Sequence, residues 1–168
     1  TKNIIIIGSG VENTMSSRLS KMDLTNLNQK SRDGLREYLS KRDFGVTPEP
    51  TGAEKKEKMR RIFVVQEHHA RRLHYDFRLE KEGLLKSWAV PKGIPEEPGS
   101  KRLAVETEDH PLEYSEFEGT IPEGQYGAGT VKIWDRGSYE LKIWDEDKIE
   151  FILNGQRLKG RYILARFK

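Results

Sequence analysis

The sequence predicts a mainly β fold, namely a compact antiparallel β-barrel with a short helical N-terminal arm. From residue 62 onward, short segments of β-forming residues are separated by turn residues, which is typical of all-β barrels and sandwiches. The pattern lacks the long amphipathic helices that a parallel α/β fold requires. No repeat of fixed period is visible, so the pattern does not favour a solenoid or a propeller.

We expect three parts along the chain. Residues 1–30 hold a short aliphatic run, a Gly-Ser-Gly turn and a polar stretch, which predicts a polar, flexible extension. Residues 31–61 are interpreted as an N-terminal helix and linker arm. Within them, Ser31–Lys41 has the apolar spacing of one short helix, and Pro48 prevents its continuation. Residues 62–168 are predicted to form the β-barrel core.

Eight segments of the core are predicted as strands, because apolar residues in them alternate with polar ones or run together between turn residues. They are Ile62–Gln66, Leu73–Glu80, Leu84–Val90, Leu103–Thr107, Thr130–Asp135, Ser138–Trp144, Lys148–Leu153 and Arg161–Phe167. The pair Asn154-Gly155 predicts a tight hairpin because both residues tolerate a positive φ. Gly83 predicts another tight turn.

The composition excludes several classes of protein and site. The chain has 168 residues, with 30 Lys+Arg against 27 Asp+Glu and a net charge of +3. It has no cysteine, so disulfides, thiolate zinc sites, iron–sulfur clusters and a cysteine nucleophile are excluded. The longest aliphatic run, Ile4–Ile7, is far shorter than the ~20 residues of a membrane-spanning helix. We therefore expect a cytoplasmic protein that does not associate with membranes.

Charge is distributed in blocks of opposite sign. Residues 53–61 hold five basic and two acidic residues, whereas residues 96–123 hold nine acidic and two basic ones. Such blocks suit a polyanionic substrate and a hard metal ion, respectively. More often, they are the solvated faces of an ordinary domain. Charge alone therefore leaves both interpretations open.

The segment Leu73–Leu79 carries the most informative pattern in the chain. Strict alternation places its apolar residues on one face and His74, Asp76 and Arg78 on the other. A histidine and a carboxylate two residues apart on a strand lie about 6 to 7 Å apart at Cα, close enough to ligate one cation. A tight connection would bring His68 back as a third ligand. The plain alternative is an edge strand whose polar face meets water.

Four motifs occur in order along the core: QEHHARRLHYDFRL (66–79), LKSWAVPKG (85–93), EDHPLEY (108–114) and GTIPEGQYGAGTV (119–131). With these motifs, and with KRDF and TPEP upstream of them, the chain resembles the 3′-phosphoesterase domain of bacterial DNA ligase D and its stand-alone archaeal relatives. The resemblance covers about residues 38–168. Because four motifs share a compatible order and spacing, it is highly specific.

The resemblance implies a compact β-barrel enzyme that processes DNA 3′ ends during nonhomologous end joining. Such enzymes remove a 3′-terminal ribonucleoside and then the remaining 3′-phosphate, leaving a 3′-OH. The implied cofactor is Mn²⁺, or another divalent transition metal such as Co²⁺ or Zn²⁺. The implied partners are primer-template 3′ ends with a terminal ribonucleotide or a 3′-phosphate, and the ligase, polymerase or Ku of an end-joining system.

Carried over position by position, the resemblance assigns three groups of site residues. The metal ligands would be His68, His74 and Asp76. The catalytic residues would be Arg78, His110 and Tyr114. The substrate-binding and supporting residues would be Arg42, Asp43, Glu49, Gln66, Lys92, Arg102 and Glu108.

These residue types suit phosphoester hydrolysis on general chemical grounds. The reaction needs a Lewis acid on a phosphoryl oxygen, cations for the charge that gathers there and a proton donor for the leaving oxygen. Two imidazoles and a carboxylate suit Mn²⁺ better than Mg²⁺, which prefers oxygen ligands. We expect Arg78 and His110 to clamp the phosphate and Tyr114 to donate a hydrogen bond to it. His110 is the expected general acid because the ordinary histidine pKa lies near ~6.5.

Two other functions remain compatible with the residues. In a non-haem Fe(II) oxygenase, His74, Asp76 and His110 would form the facial triad of two histidines and one carboxylate. In a non-catalytic nucleic-acid-binding β-barrel, the basic residues would grip a backbone and the histidines would be incidental. The oxygenase would lose its metal with His110, whereas the binding module would show no turnover.

Overall fold

The structure is a computed structural model and describes residues 3–8, 34–52 and 61–167. In chain order, the elements of these ranges are β1 (Asn3–Gly8), α1 (Arg36–Ser40), β2 (Ile62–His69), β3 (Leu73–Lys81), β4 (Leu84–Val90), β5 (Lys101–Pro111), a 3₁₀-helix (Leu112–Glu116), β6 (Gly119–Ile121), β7 (Gly129–Trp144), β8 (Lys148–Gly155) and β9 (Lys159–Phe167).

Eight of these strands close into an antiparallel β-barrel. Their order around the wall is β2, β3, β4, β5, β1, β9, β8 and β7, and β7 pairs back with β2. The short strand β6 pairs with the start of β7. The predicted fold class, a mainly β protein built on a compact antiparallel barrel, is confirmed.

Aromatic and aliphatic side chains fill the interior of the barrel. The alternation in β3 sends Phe77 and Leu79 inward, where both are fully buried. The ring of Phe77 stacks on that of Phe151 from β8, with 5.7 Å between the ring centroids. The polar residues of β3 therefore face the outside of the wall.

A second apolar cluster covers part of that outer face. Leu35 and Tyr38 from the arm pack with Leu85 of β4, Tyr114 of the 3₁₀-helix and Val131 of β7. Tyr38 is fully buried and donates its hydroxyl to the carbonyl of Pro50, which ties the two ends of the arm together. The arm thus covers the wall beside the polar row of β3.

The start of the chain differs from the sequence-based expectation. Residues 1–30 were predicted to lie outside the barrel, but Asn3–Gly8 form β1 between β5 and β9. The reason is apolar burial, because Ile4 and Ile6 point into the core while the backbone pairs on both sides. Residues 9–33 and 53–60 lie outside the described residues. The remaining division of the chain stays a prediction.

The long strand β7 replaces two predicted strands, Thr130–Asp135 and Ser138–Trp144. Gly137, which lies between those two predicted segments, is the position at which the pairing of β7 changes from β2 to β8, and it pairs with Phe63 and Gly155. A Cβ on Gly137 would collide with the carbonyl oxygen of Asn154. Glycine is thus needed for close approach of the backbones, and the strand continues through it.

Both predicted hairpins are present. Glu82 and Gly83 have φ values of 54° and 84°, as a two-residue turn between Lys81 and Leu84 requires. At the other hairpin, Asn154 still pairs with Lys159, so the turn lies beyond the Asn-Gly pair.

That second turn is held by a buried carboxylate. The side chain of Asp135 accepts hydrogen bonds from the backbone N–H groups of Gln156, Arg157 and Leu158.

Within the described ranges, no helix has the length and apolar character to cross a lipid bilayer.

Candidate metal and phosphate site

Two histidines and an aspartate converge on the outer face of β2 and β3. The antiparallel register places His68 directly opposite His74, and alternation places Asp76 on the same face. His68 Nδ1 lies 3.1 Å from His74 Nε2. Asp76 Oδ2 lies 3.3 Å from His68 Nδ1 and 3.4 Å from His74 Nε2. One ligand atom from each residue falls within 4.8 Å of the others, so the group can hold a metal ion.

Backbone carbonyls orient both imidazole rings. His68 Nε2 lies 2.7 Å from the carbonyl oxygen of Gly127, and His74 Nδ1 lies 3.1 Å from that of Arg72. A carbonyl only accepts, so each of these ring nitrogens carries the proton. While the rings are neutral, the other nitrogens therefore direct lone pairs at the carboxylate of Asp76, and a ring that takes up a second proton donates it to that carboxylate. Three converging acceptors repel one another unless a cation lies between them, which is the arrangement of a metal site.

The pKa values of Asp76 and His74 both indicate that a positive charge is favoured between these side chains. Burial would raise the pKa of Asp76, but hydrogen bonds with His68 and His74 and the charge of Arg78 outweigh it and hold this pKa well below its usual range. Asp76 is therefore an anion. The hydrogen bond with Asp76 raises the pKa of His74. Without a metal, a proton is drawn to the same position.

Arg78 is a fixed cation beside this group. Its Nε donates to Gln66 Oε1 and its Nη1 to Ser87 Oγ, each at 2.8 Å. Nη2 lies 3.7 Å from Asp76 Oδ2. The guanidinium carbon lies 4.8 Å from the centroid of the Tyr114 ring. These contacts hold the guanidinium with its Nη2 edge toward the His68–His74–Asp76 group.

Gln66 supports Arg78 rather than facing solvent. Its side chain is fully buried, and its amide nitrogen donates to the carbonyl oxygens of Tyr114 and Phe117 at 2.8 and 3.0 Å. Its oxygen accepts from Arg78. The side chain thus connects β2, β3 and the 3₁₀-helix, and reaches a ligand only through Arg78.

Glu49 links the arm to the barrel. Its carboxylate accepts hydrogen bonds from Arg42 Nε, Thr47 Oγ1 and Tyr114 Oη, each at 2.8 Å. All of these groups are buried or partly buried. Burial raises the pKa of Tyr114 well above its usual range, so its hydroxyl stays a hydrogen-bond donor. Arg42, Glu49 and Tyr114 therefore act as one unit.

His110 lies on β5 under the arm. Arg42 Nη2 lies 3.3 Å from His110 Nε2, and His110 Nδ1 lies 2.9 Å from the carbonyl oxygen of Glu108. A guanidinium only donates and a carbonyl only accepts, so the imidazole is neutral with its proton on Nδ1. Burial, followed by the charges of Arg78 and Arg42, lowers the pKa of His110 well below its usual range. In this arrangement His110 accepts rather than donates a proton at Nε2.

Glu108 anchors the arm from below. Its carboxylate oxygens lie 3.4 Å from Arg42 Nη1 and 3.1 Å from Lys41 Nζ. Lys41 also pairs with Glu37 at 3.0 Å. The acidic residue thus fixes two cations of the arm close to His110.

Three of the predicted substrate-binding residues lie apart from this cluster. Lys92 and Arg102 line a cavity of about 410 Å³ together with Tyr75 and Trp134. Tyr75 points to the face of β3 opposite the histidine and aspartate of that strand. Asp43 is exposed and accepts from the backbone N–H of Gly45, within a turn of the arm. Their roles stay predictions.

The sequence did not reveal four residues that the structure places beside the site. Ser87 is a buried polar residue in a strand whose other residues, except Lys86, are apolar, and that pattern was a usable signal. Tyr38 and Lys41 belong to the predicted helix, but their contacts with His110 and Glu108 depend on how the arm packs. Tyr126 lies in the glycine-rich turn before β7, where its role has no local signal.

The oxygenase alternative does not fit this geometry. Its triad needs His110 as the third ligand beside His74 and Asp76. Instead, His68 completes that group, and the ring nitrogens of His110 face Arg42 and the carbonyl of Glu108. The site therefore combines a group that can hold a metal with a separate row of polar side chains, Arg78, His110 and Tyr114, whose role in phosphate binding stays a prediction.

Comparisons with known proteins identify the family of the chain. The family model described as the DNA ligase D 3′-phosphoesterase domain matches residues 66–166. The multifunctional non-homologous end joining protein LigD of Pseudomonas aeruginosa is 51% identical over 139 residues, which are 79% of this chain and 16% of that protein. The LigD proteins of Mycobacterium tuberculosis and Mycolicibacterium smegmatis are each 50% identical, over 80% and 81% of this chain.

The chain spans less than a fifth of these curated relatives, namely 16%, 18% and 19% of their lengths. The matched region nevertheless begins within β2 and includes β3 and β5, and so contains the metal-ligand candidates, Arg78 and His110, whereas Arg42 and Glu49 of the arm precede it. The chain belongs to the DNA ligase D 3′-phosphoesterase domain family.

Proposed function

We propose that this protein is a metal-dependent phosphoesterase that processes DNA 3′ ends. It acts as a 3′-ribonucleoside phosphodiesterase and as a 3′-phosphomonoesterase that leaves a 3′-OH. The observation that carries this proposal is the locked guanidinium of Arg78, whose free edge faces the His68–His74–Asp76 group. Family membership supports phosphoester hydrolysis as the reaction class.

The proposed setting is nonhomologous end joining, because the curated relatives are named as end-joining proteins. The substrates are primer-template 3′ ends with a terminal ribonucleotide or a 3′-phosphate. A 3′-OH is what a polymerase or ligase needs, so the ligase, polymerase or Ku of an end-joining system would be the partners. The reaction would take place in the cytoplasm.

The donor set favours Mn²⁺, with Co²⁺ and Zn²⁺ as alternatives. Two imidazole nitrogens and one carboxylate oxygen suit these borderline ions better than Mg²⁺. When bound, such an ion supplies a Lewis acid that polarises a phosphoryl oxygen. His68, His74 and Asp76 would hold it, and the carbonyls of Gly127 and Arg72 fix the two imidazole rings.

The chain's own residues then bind and orient the phosphate. Arg78 offers Nη2 to a non-bridging oxygen, and its other two nitrogens remain fixed by Gln66 and Ser87. Because the guanidinium is already oriented, it does not reorganise as charge gathers on that oxygen. Tyr114 can donate its hydroxyl to the same phosphate if it releases Glu49.

His110 needs the phosphate before it can act as an acid. Its pKa lies well below the usual range because the side chain is buried and two guanidinium groups lie nearby. A phosphate beside Arg78 and Arg42 adds negative charge, which raises this pKa again. Protonated His110 then donates to the leaving oxygen, and water attacks phosphorus. Lys92, Arg102 and Asp43 would contact the DNA outside this cluster.

The test is a gel assay on a primer-template that ends in one 3′-ribonucleotide. We expect Mn²⁺-dependent shortening to a 3′-phosphate and then a 3′-OH. EDTA and the His74→Ala substitution should both abolish it. If folded protein binds the DNA but leaves the primer intact with Mn²⁺, Co²⁺ and Zn²⁺, the protein is a nucleic-acid-binding module instead.

A further inference from the structure

Tyr126 is a solvent-exposed aromatic ring at the edge of the site. The residue is 50% exposed, and among the Phe, Tyr and Trp residues that the structure describes, only Phe167 is exposed to a similar extent. The other aromatic rings around His110, those of Tyr38 and Tyr114, are buried. The apolar surface of Tyr126 is therefore left open to water in a region where other rings are packed away.

A tight turn fixes the position of this ring. Ala128 donates its backbone N–H to the carbonyl of Gln125 at 3.1 Å, which places Tyr126 and Gly127 at the centre of the turn. Gly127 has a φ of +75°, the value that a type II turn needs at its third position. The carbonyl of Gly127 also accepts from His68. Tyr126 is therefore the residue directly before Gly127, whose carbonyl orients His68 of the His68–His74–Asp76 group.

Two cations of the arm lie close to the ring. Lys41 Nζ lies 4.6 Å and the guanidinium carbon of Arg42 lies 5.6 Å from the ring centroid. Both are held by other partners, Lys41 by Glu37 and Glu108 and Arg42 by Glu49 and the Tyr38 ring at 3.9 Å. Lys41 Nζ also lies 3.5 Å from the Tyr126 hydroxyl, farther than from either carboxylate, so the arm is fixed chiefly by its other partners and its anchoring does not require an exposed ring at Tyr126.

An exposed ring flanked by cations is the arrangement with which proteins bind unpaired nucleotides. Bases stack on aromatic side chains, and neighbouring cations contact the backbone phosphates. Here the ring has a neighbour on each side. Gly127, the next residue, contacts His68 of the His68–His74–Asp76 group, and Lys41 of the arm lies next to the ring. A nucleotide whose phosphate lies at Arg78 would place its nucleoside at the edge of the site, beside the His68–His74–Asp76 group or beside the cations next to His110.

We propose that Tyr126 is a binding residue that stacks on the base of the nucleotide at the 3′ end. This inference rests on the proposed function and adds a specificity to it. Ends that carry a terminal base gain the stacking contact, whereas ends that carry only a 3′-phosphate do not. Tyr126 thus favours nucleoside removal over phosphate removal at low substrate concentration.

Three primer ends test this inference: a terminal ribonucleotide, the same ribose without its base, and a 3′-phosphate. Tyr126→Ala should raise KM about tenfold for the terminal ribonucleotide, the range expected for loss of one stacked base. It should change KM much less for the two ends without a base. Tyr126→Phe keeps the ring and should resemble the wild type, and Phe167→Ala is the matched control for an exposed ring outside the site.

A binding measurement separates stacking from turnover. With 2-aminopurine as the terminal base, stopped-flow mixing with the wild type and with Tyr126→Phe should change the fluorescence in the binding phase, and mixing with Tyr126→Ala should not. Two results would overturn the inference while the proposed function stands. One is an equal KM increase for all three ends, and the other is a fluorescence change with Tyr126→Ala as large as that with the wild type. A ring-dependent response with no cleavage by the wild type overturns the proposed function and leaves the stacking intact.

Discussion

His68 donates a hydrogen bond from Nε2 to the carbonyl oxygen of Gly127 at 2.7 Å. This contact decides which nitrogen of the ring is free for a metal, because the proton on Nε2 leaves a lone pair on Nδ1. The turn before β7 thus orients a residue of β2. The metal group therefore depends on a segment that supplies none of its three residues.

Replacement of Gly127 by alanine should weaken metal binding. Its φ of +75° strains any residue with a Cβ, so the turn should shift and the carbonyl should move away from His68. Loss of such a supporting contact typically weakens metal binding by about 10- to 100-fold. We expect an increase in the Kd for Mn²⁺ near the lower end of that range, measured by titration calorimetry.

Gly124→Ala is the matched control for this experiment. Gly124 lies before the same turn, has a φ of +83°, and an added Cβ would meet nothing within 4 Å. It should therefore carry similar backbone strain but keep the Kd for Mn²⁺. Equal losses in both variants would show that strain in the turn, and not the Gly127 carbonyl, sets the affinity.

Arg78→Lys should abolish most turnover while keeping the charge. A lysine ammonium cannot donate to Gln66 and Ser87 and still present an oriented donor to a phosphate. Loss of one such preorganised donor costs about 100-fold or more in kcat. Single-turnover cleavage of a 3′-phosphate end is the measurement. Arg136→Lys, at an exposed position of β7, is the control, and a kcat for Arg78→Lys equal to that control would contradict the role of Arg78.

Histidine protonation should make the free energy of unfolding pH-dependent. In the folded state the pKa of His110 lies well below its ordinary value of 6.5, whereas in the unfolded state it returns to that value. Below pH 6.5 the unfolded chain binds more protons, so His110 destabilises the fold as the pH falls. Between pH 6.5 and 5.5 this one group should cost about 1 kcal/mol.

The measurement is urea unfolding of the wild type and of His110→Gln at both pH values. The stability difference between the two proteins should change by the amount given above, with the wild type losing more as the pH falls. A difference that stays constant over this interval would show that His110 titrates in the fold as it does in the unfolded chain, and a wild type that gains stability as the pH falls would show that His110 is already protonated in the fold.

Asp135→Ala should lower the free energy of unfolding of the barrel, although Asp135 does not contact the candidate site. The buried carboxylate accepts from three backbone N–H groups of the β8–β9 turn. Its removal leaves those donors without their partner, at a cost of about 2 to 4 kcal/mol. Asp145→Ala, an exposed aspartate that also accepts from backbone N–H groups, should cost less than about 1 kcal/mol. Thermal unfolding measures both, and similar losses would contradict this account.

Local patterns predicted the parts of the fold whose partners are close in sequence. The alternation of Leu73–Leu79 correctly separated the core face from the polar face, and Gly83 correctly marked a hairpin. The strand β1 was missed because its partners, β5 and β9, lie about 100 and 160 residues further along the chain. Its aliphatic run shows that it can be buried, but not where.

Two strand assignments next to glycines differ from the structure. The predicted strands Thr130–Asp135 and Ser138–Trp144 left a break around Gly137, which instead allows two backbones to approach each other within one long strand. The Asn154-Gly155 pair predicted the hairpin, but the carboxylate of Asp135 moves the turn to the following residues. Both outcomes depend on contacts from another strand, which a local pattern does not contain.

The candidate site, like the fold, has residues that a local pattern predicts and residues whose contacts join distant segments. His74 and Asp76 follow from alternation on one strand, and His68 from the short connection to it. The assignment of Arg42, Glu49 and Tyr114 came from the family resemblance, since the contacts among them join the arm to the 3₁₀-helix. The low pKa of His110 comes from burial under the arm. No single segment of sequence shows that burial.

We propose that the His68–His74–Asp76 group holds the metal and that a separate row of side chains, which includes His110, binds the phosphate. The most direct measurement is titration of Mn²⁺ by electron paramagnetic resonance into the wild type, His74→Ala and His110→Ala. We expect His74→Ala to lose Mn²⁺ binding, and His110→Ala to bind Mn²⁺ like the wild type but fail to cleave a 3′-phosphate end. Loss of Mn²⁺ binding in His110→Ala, or full binding in His74→Ala, would contradict this proposal.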